Sequence, residues 1–233
     1  MLYLIGGILM KLENVTKIYN QSKSNEVNAL KEVNAHFEKG KFYAIMGRSG
    51  SGKTTLINIL GLMDNPTSGK YSIDGVDTIA MSESEKAKIR NKKLGFVFQS
   101  YYLESKLTAL ENVVLPTLIN EDIDRDKRVS KAKELLEKLG LKDRTNHYPS
   151  QLSGGECQRV AIARSLINNP TTIIADEPTG NLDSKNEIEI FEMLKDISRD
   201  GKTVIVVSHN ELIKDYADKI LYLEDGVLSD DKI

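Results

Sequence analysis

Short apolar runs alternate with amphipathic stretches along most of this chain. Leu12, Val15 and Ile18 fall in one run, and Val33, Ala35 and Phe37 alternate cleanly in another. Both read as strands with one face buried. After Gly40, residues 42–46 (Phe-Tyr-Ala-Ile-Met) form a continuous apolar run suited to a buried strand. A glycine-rich loop follows, then a helix over residues 54–62. Residues 71–73 read as a strand ending in the turn Asp74-Gly75. Ser82 followed by Glu85 fits a capping box opening a polar helix, and residues 94–98 read as another strand.

From 100 to 168 the pattern is mostly helical. Residues 125–139 set Val129, Ala132, Leu135, Leu136 and Leu139 on one face, and Gly140 stops the helix. This stretch interrupts the alternation and reads as an inserted α-helical lobe. Beyond it, strands at 171–175, 203–207 and 219–223 alternate with helices at 185–198 and 210–217, and Asp225-Gly226 marks a hairpin. Alternating strands and helices imply an α/β domain with a mainly parallel sheet. No internal repeat, low-complexity tract or long linker interrupts it.

At 233 residues, 40% hydrophobic and 28% charged, the chain can bury one domain core and an inserted lobe. Net charge is −2 without a polybasic run, so nothing points to nucleic acid. The single cysteine, Cys157, excludes an intramolecular disulfide and fits a reducing compartment. Residues 1–10 (MLYLIGGILM) are apolar but too short for a membrane span, which needs about 20 apolar residues. They also lack the cationic start of a signal peptide. An upstream start, a tag-like extension or an extra edge strand remain open for them. No other stretch could cross a bilayer, so membrane contact is expected only through a partner.

Residues 47–54 (Gly-Arg-Ser-Gly-Ser-Gly-Lys-Thr) match G-x-x-x-x-G-K-[ST] between an expected strand and helix. The glycines allow backbone N–H groups from Gly50 through Ser51, Gly52, Lys53 and Thr54 to Thr55 to curl around a phosphate. The helix N-terminus adds positive potential. Lys53 suits the β- and γ-phosphates, and the Thr54 hydroxyl suits Mg²⁺. Residues 172–175 lead into Asp176-Glu177. On the same parallel sheet, Asp176 can hold a metal-bound water while Glu177 polarises the attacking water.

Leu152-Ser153-Gly154-Gly155-Glu156 resembles the signature motif of ABC ATPases. Ser153 could simply cap a helix, which is also an anion site. The family resemblance implies a P-loop NTPase core, an N-terminal antiparallel β subdomain and a helical lobe, with the ATPase domain at residues 10–225, the lobe at 100–168 and an extension at 1–9. It implies ATP and Mg²⁺ as cofactors. It further implies a head-to-tail homodimer in which Ser153, Gly154 and Gly155 meet the γ-phosphate held by the other chain's phosphate loop, including Gly47 and Ser49. Tyr19 resembles the adenine-stacking aromatic, although a strand tyrosine also suits a core. Gln99 resembles the glutamine that reaches Mg²⁺ and the attacking water. Asp183 in Asn181-Leu182-Asp183 resembles the interface loop, or caps the next helix. His209 resembles the switch histidine on the γ-phosphate. Catalytic roles fall to Glu177, His209 and Gln99, and metal contacts to Thr54, Gln99 and Asp176.

Cys157 stands where a long polar residue is usual and is expected on the solvent side of its helix, neutral and small. Gly95-Phe96-Val97-Phe98-Gln99, Leu110-Glu111-Asn112-Val113 with Leu115-Pro116, and residues 177–183 look like the lipoprotein-releasing, macrolide-exporting and bacitracin-resistance subfamily. That implies a Mg-dependent ATPase at the cytoplasmic face of a membrane, driving a permease that exports or extracts a lipophilic or peptide cargo. Tyr101 and Tyr102 are candidates to dock the permease or to pack within the lobe. A related ATPase that regulates cell-wall hydrolysis at division, without transport, is the alternative. Long coiled-coil insertions and paired domains, as in DNA-repair and translation members, are absent from this sequence.

Overall fold

The structure is a computed structural model and describes residues 8–119 and 124–230. Its order is β1 (Ile8–Tyr19), β2 (Val27–Glu38), β3 (Phe42–Met46), α1 (Lys53–Leu60), β4 (Ser68–Ile73), β5 (Val76–Asp77), α2 (Glu83–Lys93) and β6 (Leu94–Phe98). Then come α3 (Ala109–Val114), α4 (Arg125–Lys138), α5 (Gly154–Leu166), β7 (Thr172–Asp176), α6 (Ser184–Arg199), β8 (Thr203–Ser208), β9 (Lys219–Glu224) and β10 (Val227–Ser229).

Two sheets result. One is antiparallel, in the order β2-β1-β4-β5; the other runs β10-β9-β3-β8-β7-β6. In the second, β9, β3, β8, β7 and β6 are parallel, and only the hairpin strand β10 is antiparallel. Because β3 and β8 are buried along their whole length, alternate residues feed two cores. Phe42, Ala44 and Met46 join Val160, Phe191 and Leu194 on one face. Tyr43 and Ile45 join Leu56, Ile57 and Leu60 of α1 on the other, where the antiparallel sheet closes over them with Leu12, Val33 and Phe37. This is the α/β phosphate-loop architecture with an antiparallel β subdomain and a helical stretch between β6 and β7.

Several details differ from the sequence expectation. Leu12 and Val15 are both buried although three residues apart, which a regular strand would not allow. Register shifts on either side of Val15, and left-handed Asn14 (φ 51°), restore the inward face. Met1 to Gly7 lie outside the described residues. Ile8 and Leu9, expected in an extension, belong to β1, whose place beside β2 and β4 is not an edge. Leu9 is fully buried. The helix expected at 210–217 is a single 3₁₀ segment, Glu211–Asp215. Asn210 caps it by accepting from Leu212 N at 3.0 Å, and Asp218 Oδ2 already accepts from Phe42 N at 2.8 Å, leaving no length for an α-helix.

The capping box at Ser82 and Glu85 forms as read, as does the buried face of α4 through Ala132, Leu136 and Leu139. The helical stretch is anchored to the sheet where α5 crosses β6. There Gly95 is obligatory: a Cβ would stand 2.4 Å from Ser165 O and 2.6 Å from Ile173 Cδ1. We expect Gly95→Ala to destabilise the chain by about 1–3 kcal/mol through overpacking, seen as a lower urea midpoint at unchanged m-value.

Candidate functional site

The carboxyl ends of β3, β6, β7 and β8 share one sheet edge, and a cleft of about 1010 Å³ opens above it. Tyr19, Ser49, Gly50, Gly52, Lys53, Thr54, Thr55, Gln99, Asp176, Glu177 and His209 all line it. Residues from five separated stretches therefore converge as the sequence led one to expect.

The loop before α1 is built by its glycines. Gly50 (φ 82°) and Gly52 (φ 106°) take left-handed backbone that L-residues avoid. Gly52 has a second reason, since a Cβ there would lie 2.4 Å from Ala29 O. Gly47 sits under the loop, where a Cβ would meet Leu223 O at 2.5 Å. Ser51 is buried beneath it, its hydroxyl without a partner among the described residues. The Lys53 ammonium donates to the carbonyls of Gly47 (2.8 Å) and Arg48 (2.9 Å) and stands 3.8 Å from Glu177 Oε1. The start of α1 carries no acidic side chain in its first turn, which leaves the positive helix end open to an anion.

Glu177 occupies left-handed backbone (φ 45°), a conformation that costs a non-glycine residue roughly 1–2 kcal/mol. Its carboxylate accepts from Ser208 Oγ (3.0 Å) and His209 N (3.3 Å) and lies 2.9 Å from His209 Nδ1. The histidine ring itself is 70% exposed, at the cleft mouth. Asp176, the half-buried last residue of β7, has its carboxyl pushed above the usual range by burial and by neighbouring Glu177, against the opposing pull of Lys53. Gln99 exchanges two hydrogen bonds with Asn181: Gln99 Nε2 donates to Oδ1 (3.3 Å), and Asn181 Nδ2 donates to Gln99 O (3.0 Å). Tyr19 is fixed by donating to Asp64 Oδ2 (3.0 Å), with the Lys17 ammonium 4.9 Å from its ring centre.

Ser153, Gly154, Gly155 and Asp183 are not among the residues of this cleft. Ser153 caps α5, its hydroxyl accepting from Glu156 N at 3.2 Å, and Asp183 caps α6 by accepting from Asn186 N at 2.9 Å. Cys157 is not on the solvent side: it is buried, with Sγ 3.6 Å from Pro149 O. The 3₁₀ turn Pro149–Gln151 folds back over the start of α5 and covers it. Burial raises its thiol pKa, with adjacent Glu156 adding to the effect, so it is an inert neutral side chain. Sequence reading did not single out Asn28, Lys31 or Arg48, which also line the cleft. Asp225-Gly226 read only as a hairpin, yet Gly226 N donates to Ser51 O (3.0 Å) and ties the end of the chain to the loop. Asn28 and Lys31 carry no motif, and Arg48 fills a variable position of the phosphate-loop motif.

A glycine loop at a helix start, with a lysine, an acid pair and a histidine on one parallel edge, defines a nucleotide site of the phosphate-loop class. Comparison with known proteins gives the family. Residues 30–180 match the family model described as ABC transporter. An uncharacterized ABC transporter ATP-binding protein of Methanocaldococcus jannaschii is 50% identical over 218 residues, 94% of this chain and 96% of that protein. The macrolide export ATP-binding/permease protein MacB of Chlorobaculum tepidum is 47% identical over 227 residues, 96% of this chain but 34% of that longer protein. A solved ATP-binding cassette, dimeric, in a post-hydrolysis state and bound to ADP and Pi, superposes with a TM-score of 0.87 at 45% identity, covering 95% of this chain and 97% of that one. The chain belongs to the ABC transporter ATP-binding family.

Glu156 illustrates how firmly the start of α5 is set. Hydrogen bonds from Ser153 N and from Arg144 hold its carboxyl at about 2, against 4.5 ordinarily. A depressed carboxylate contributes stability above its unfolded pKa and loses it as pH falls towards the folded value. We therefore expect wild type to exceed Glu156→Gln in urea midpoint at neutral pH, with the gap shrinking below pH 4.5 towards about 2.

Proposed function

We propose that the chain is a Mg-dependent ATPase subunit that works as a head-to-tail homodimer and powers a membrane permease. The observation that carries this is the separation just described. The phosphate loop, Asp176, Glu177, Gln99 and His209 share one cleft, while Ser153 and its two glycines open a helix elsewhere. This exposed serine-capped helix start, which carries Glu156 in its capping box, has no phosphate loop of its own chain beside it. A second copy, arranged head to tail, supplies one. The ADP- and Pi-bound relative is described as dimeric, which supports the arrangement.

Each residue then has a task. Backbone N–H groups from Gly50 to Thr55 and the α1 dipole hold the phosphates, and Lys53 balances charge at the β–γ bridge. Tyr19 offers its free ring face to the adenine. Mg²⁺ fits the donor set: such ions take one or two carboxylates alongside substrate phosphates. Asp176 and the Thr54 hydroxyl are available beside Gln99, and among the described residues no denser carboxylate or histidine cluster exists. When bound, the ion would neutralise developing phosphate charge. Glu177 accepts a hydrogen bond from the water whose oxygen attacks the γ-phosphorus as the bond to the β–γ bridging oxygen breaks. His209 and Gln99 fix that water and the γ-phosphate. Ser153 and Gly155 of the partner grip the same γ-phosphate, so its loss releases the dimer.

Among the described residues no helix is long and apolar enough to cross a membrane. The fused permease named in the MacB relative supports a membrane partner and a place at the cytoplasmic face. A groove of about 470 Å³ lined by Phe96, Phe98, Tyr102, Pro116 and Ile119 fits a permease helix. Tyr102 is 68% and Ile119 78% exposed there. Arg164 holds that loop through the carbonyls of Tyr101 and Tyr102. Export or extraction of a lipophilic or peptide cargo is the reading that the MacB likeness favours. Control of cell-wall hydrolysis at division would use the same ATPase, and the permease that co-purifies decides between them.

Glu177→Gln is expected to bind ATP and lower kcat by roughly 100-fold or more, the loss typical of a missing general base. Turnover at the parental rate removes Glu177 from that role. Mixing Lys53→Ala with Ser153→Arg chains is expected to restore ATPase activity that neither shows alone, because one of the two composite sites is then intact.

A further inference from the structure

Gln158 is fully buried in α5, shortly after the signature residues, and donates from Nε2 to Pro178 O at 2.7 Å. Pro178 directly follows Glu177. Three hydrogen bonds to main-chain groups of residues 177, 178 and 180 hold this strained turn. Glu177 N donates to Val207 O (2.9 Å) from the sheet, and Gly180 N donates to Glu177 O (3.1 Å) within the turn. The Gln158 bond is the third, and it alone comes from the signature helix. Packing does not account for this side chain. Its Oε1 has no partner among the described residues, so half of a buried amide goes unsatisfied where methionine or leucine would fill the space without that penalty. The start of α5 is braced against the same segment elsewhere. A Cβ on Gly155 would fall 2.1 Å from Asn186 Oδ1, and one on Gly154 would fall 3.4 Å from Leu182 Cδ2.

We infer that Gln158 is a positioning residue for Glu177 of its own protomer, suspending the catalytic turn from the helix that grips the partner's nucleotide. The inference rests on the head-to-tail reading above. Ser153 belongs to one composite site and Glu177 to the other, so Gln158 joins the two sites across a single helix. The Gln158 bond holds the water-orienting carboxylate of one site from the helix that serves the other.

Heterodimers separate this role from a merely structural one. One protomer carries Glu177→Gln, leaving a single competent site that uses Glu177 of one protomer and Ser153 of the other. Gln158→Met, with Gln158→Leu in parallel, is added to either protomer. Placed in the protomer that already carries Glu177→Gln, it is expected to keep the turnover of the reference heterodimer. That outcome also shows that the variant chain folds and still supplies its signature turn. Placed in the protomer with intact Glu177, it is expected to lower kcat about tenfold to a hundredfold with KM within about twofold, as misplacement of a reacting group does. Loss in the first arrangement, in both equally, or in neither overturns the proposal. Ser153→Arg in the same two arrangements gives the control: it must abolish turnover only in the protomer carrying Glu177→Gln. Failure of that control overturns head-to-tail assembly itself, whatever Gln158→Met does.

Discussion

A terminal phosphate needs donors on more than one side, and one parallel sheet edge supplies them on only one. Strands β3, β6, β7 and β8 all end at that edge, so the phosphate loop, Gln99, the Asp176-Glu177 pair and His209 converge without further design. The signature turn does not line this cleft in its own chain, and α5 packs closely against β6 at Gly95. In the head-to-tail dimer proposed above, a sheet edge of one chain and a helix start of the other are two halves of a site. The protein's behaviour follows from how they are brought together.

The acidic side of the cleft carries stored tension. Asp176 is a carboxylate in a desolvated place beside a second carboxylate, and Glu177 is held on a left-handed backbone. Neither arrangement helps the fold. The carboxylate pair becomes reasonable if a divalent cation brought with a polyphosphate shares the space, since it would offset charge that Lys53 alone leaves unbalanced. Stability has been spent where chemistry needs preorganised groups. The buried strand β8 beside β7 holds Glu177 through the carbonyl of Val207.

Most of this was readable because period and motif agreed. The buried run at 42–46, the glycine loop and the apolar strand before Asp176 are local patterns with local causes. What escaped the sequence depended on contacts between distant segments. The 3₁₀ turn at Glu211–Asp215 replaced a helix because Asp218 is pinned to Phe42, and the burial of Cys157 follows from the turn at Pro149. The bulge beside Val15 and the tie from Gly226 to Ser51 are likewise long-range hydrogen-bonding facts. Gln158 attracted no notice for the same reason: its partner, Pro178, is brought to it only by folding.

In the proposed dimer a serine-glycine turn of one copy completes the nucleotide cleft of another. Sedimentation equilibrium of the Glu177→Gln chain, with Mg·ATP and then with Mg·ADP, tests it most directly. The account predicts the mass of two chains with two bound nucleotides in ATP, and of one chain in ADP. A single-chain mass in saturating ATP, at protein concentrations well above those used for turnover, would contradict it.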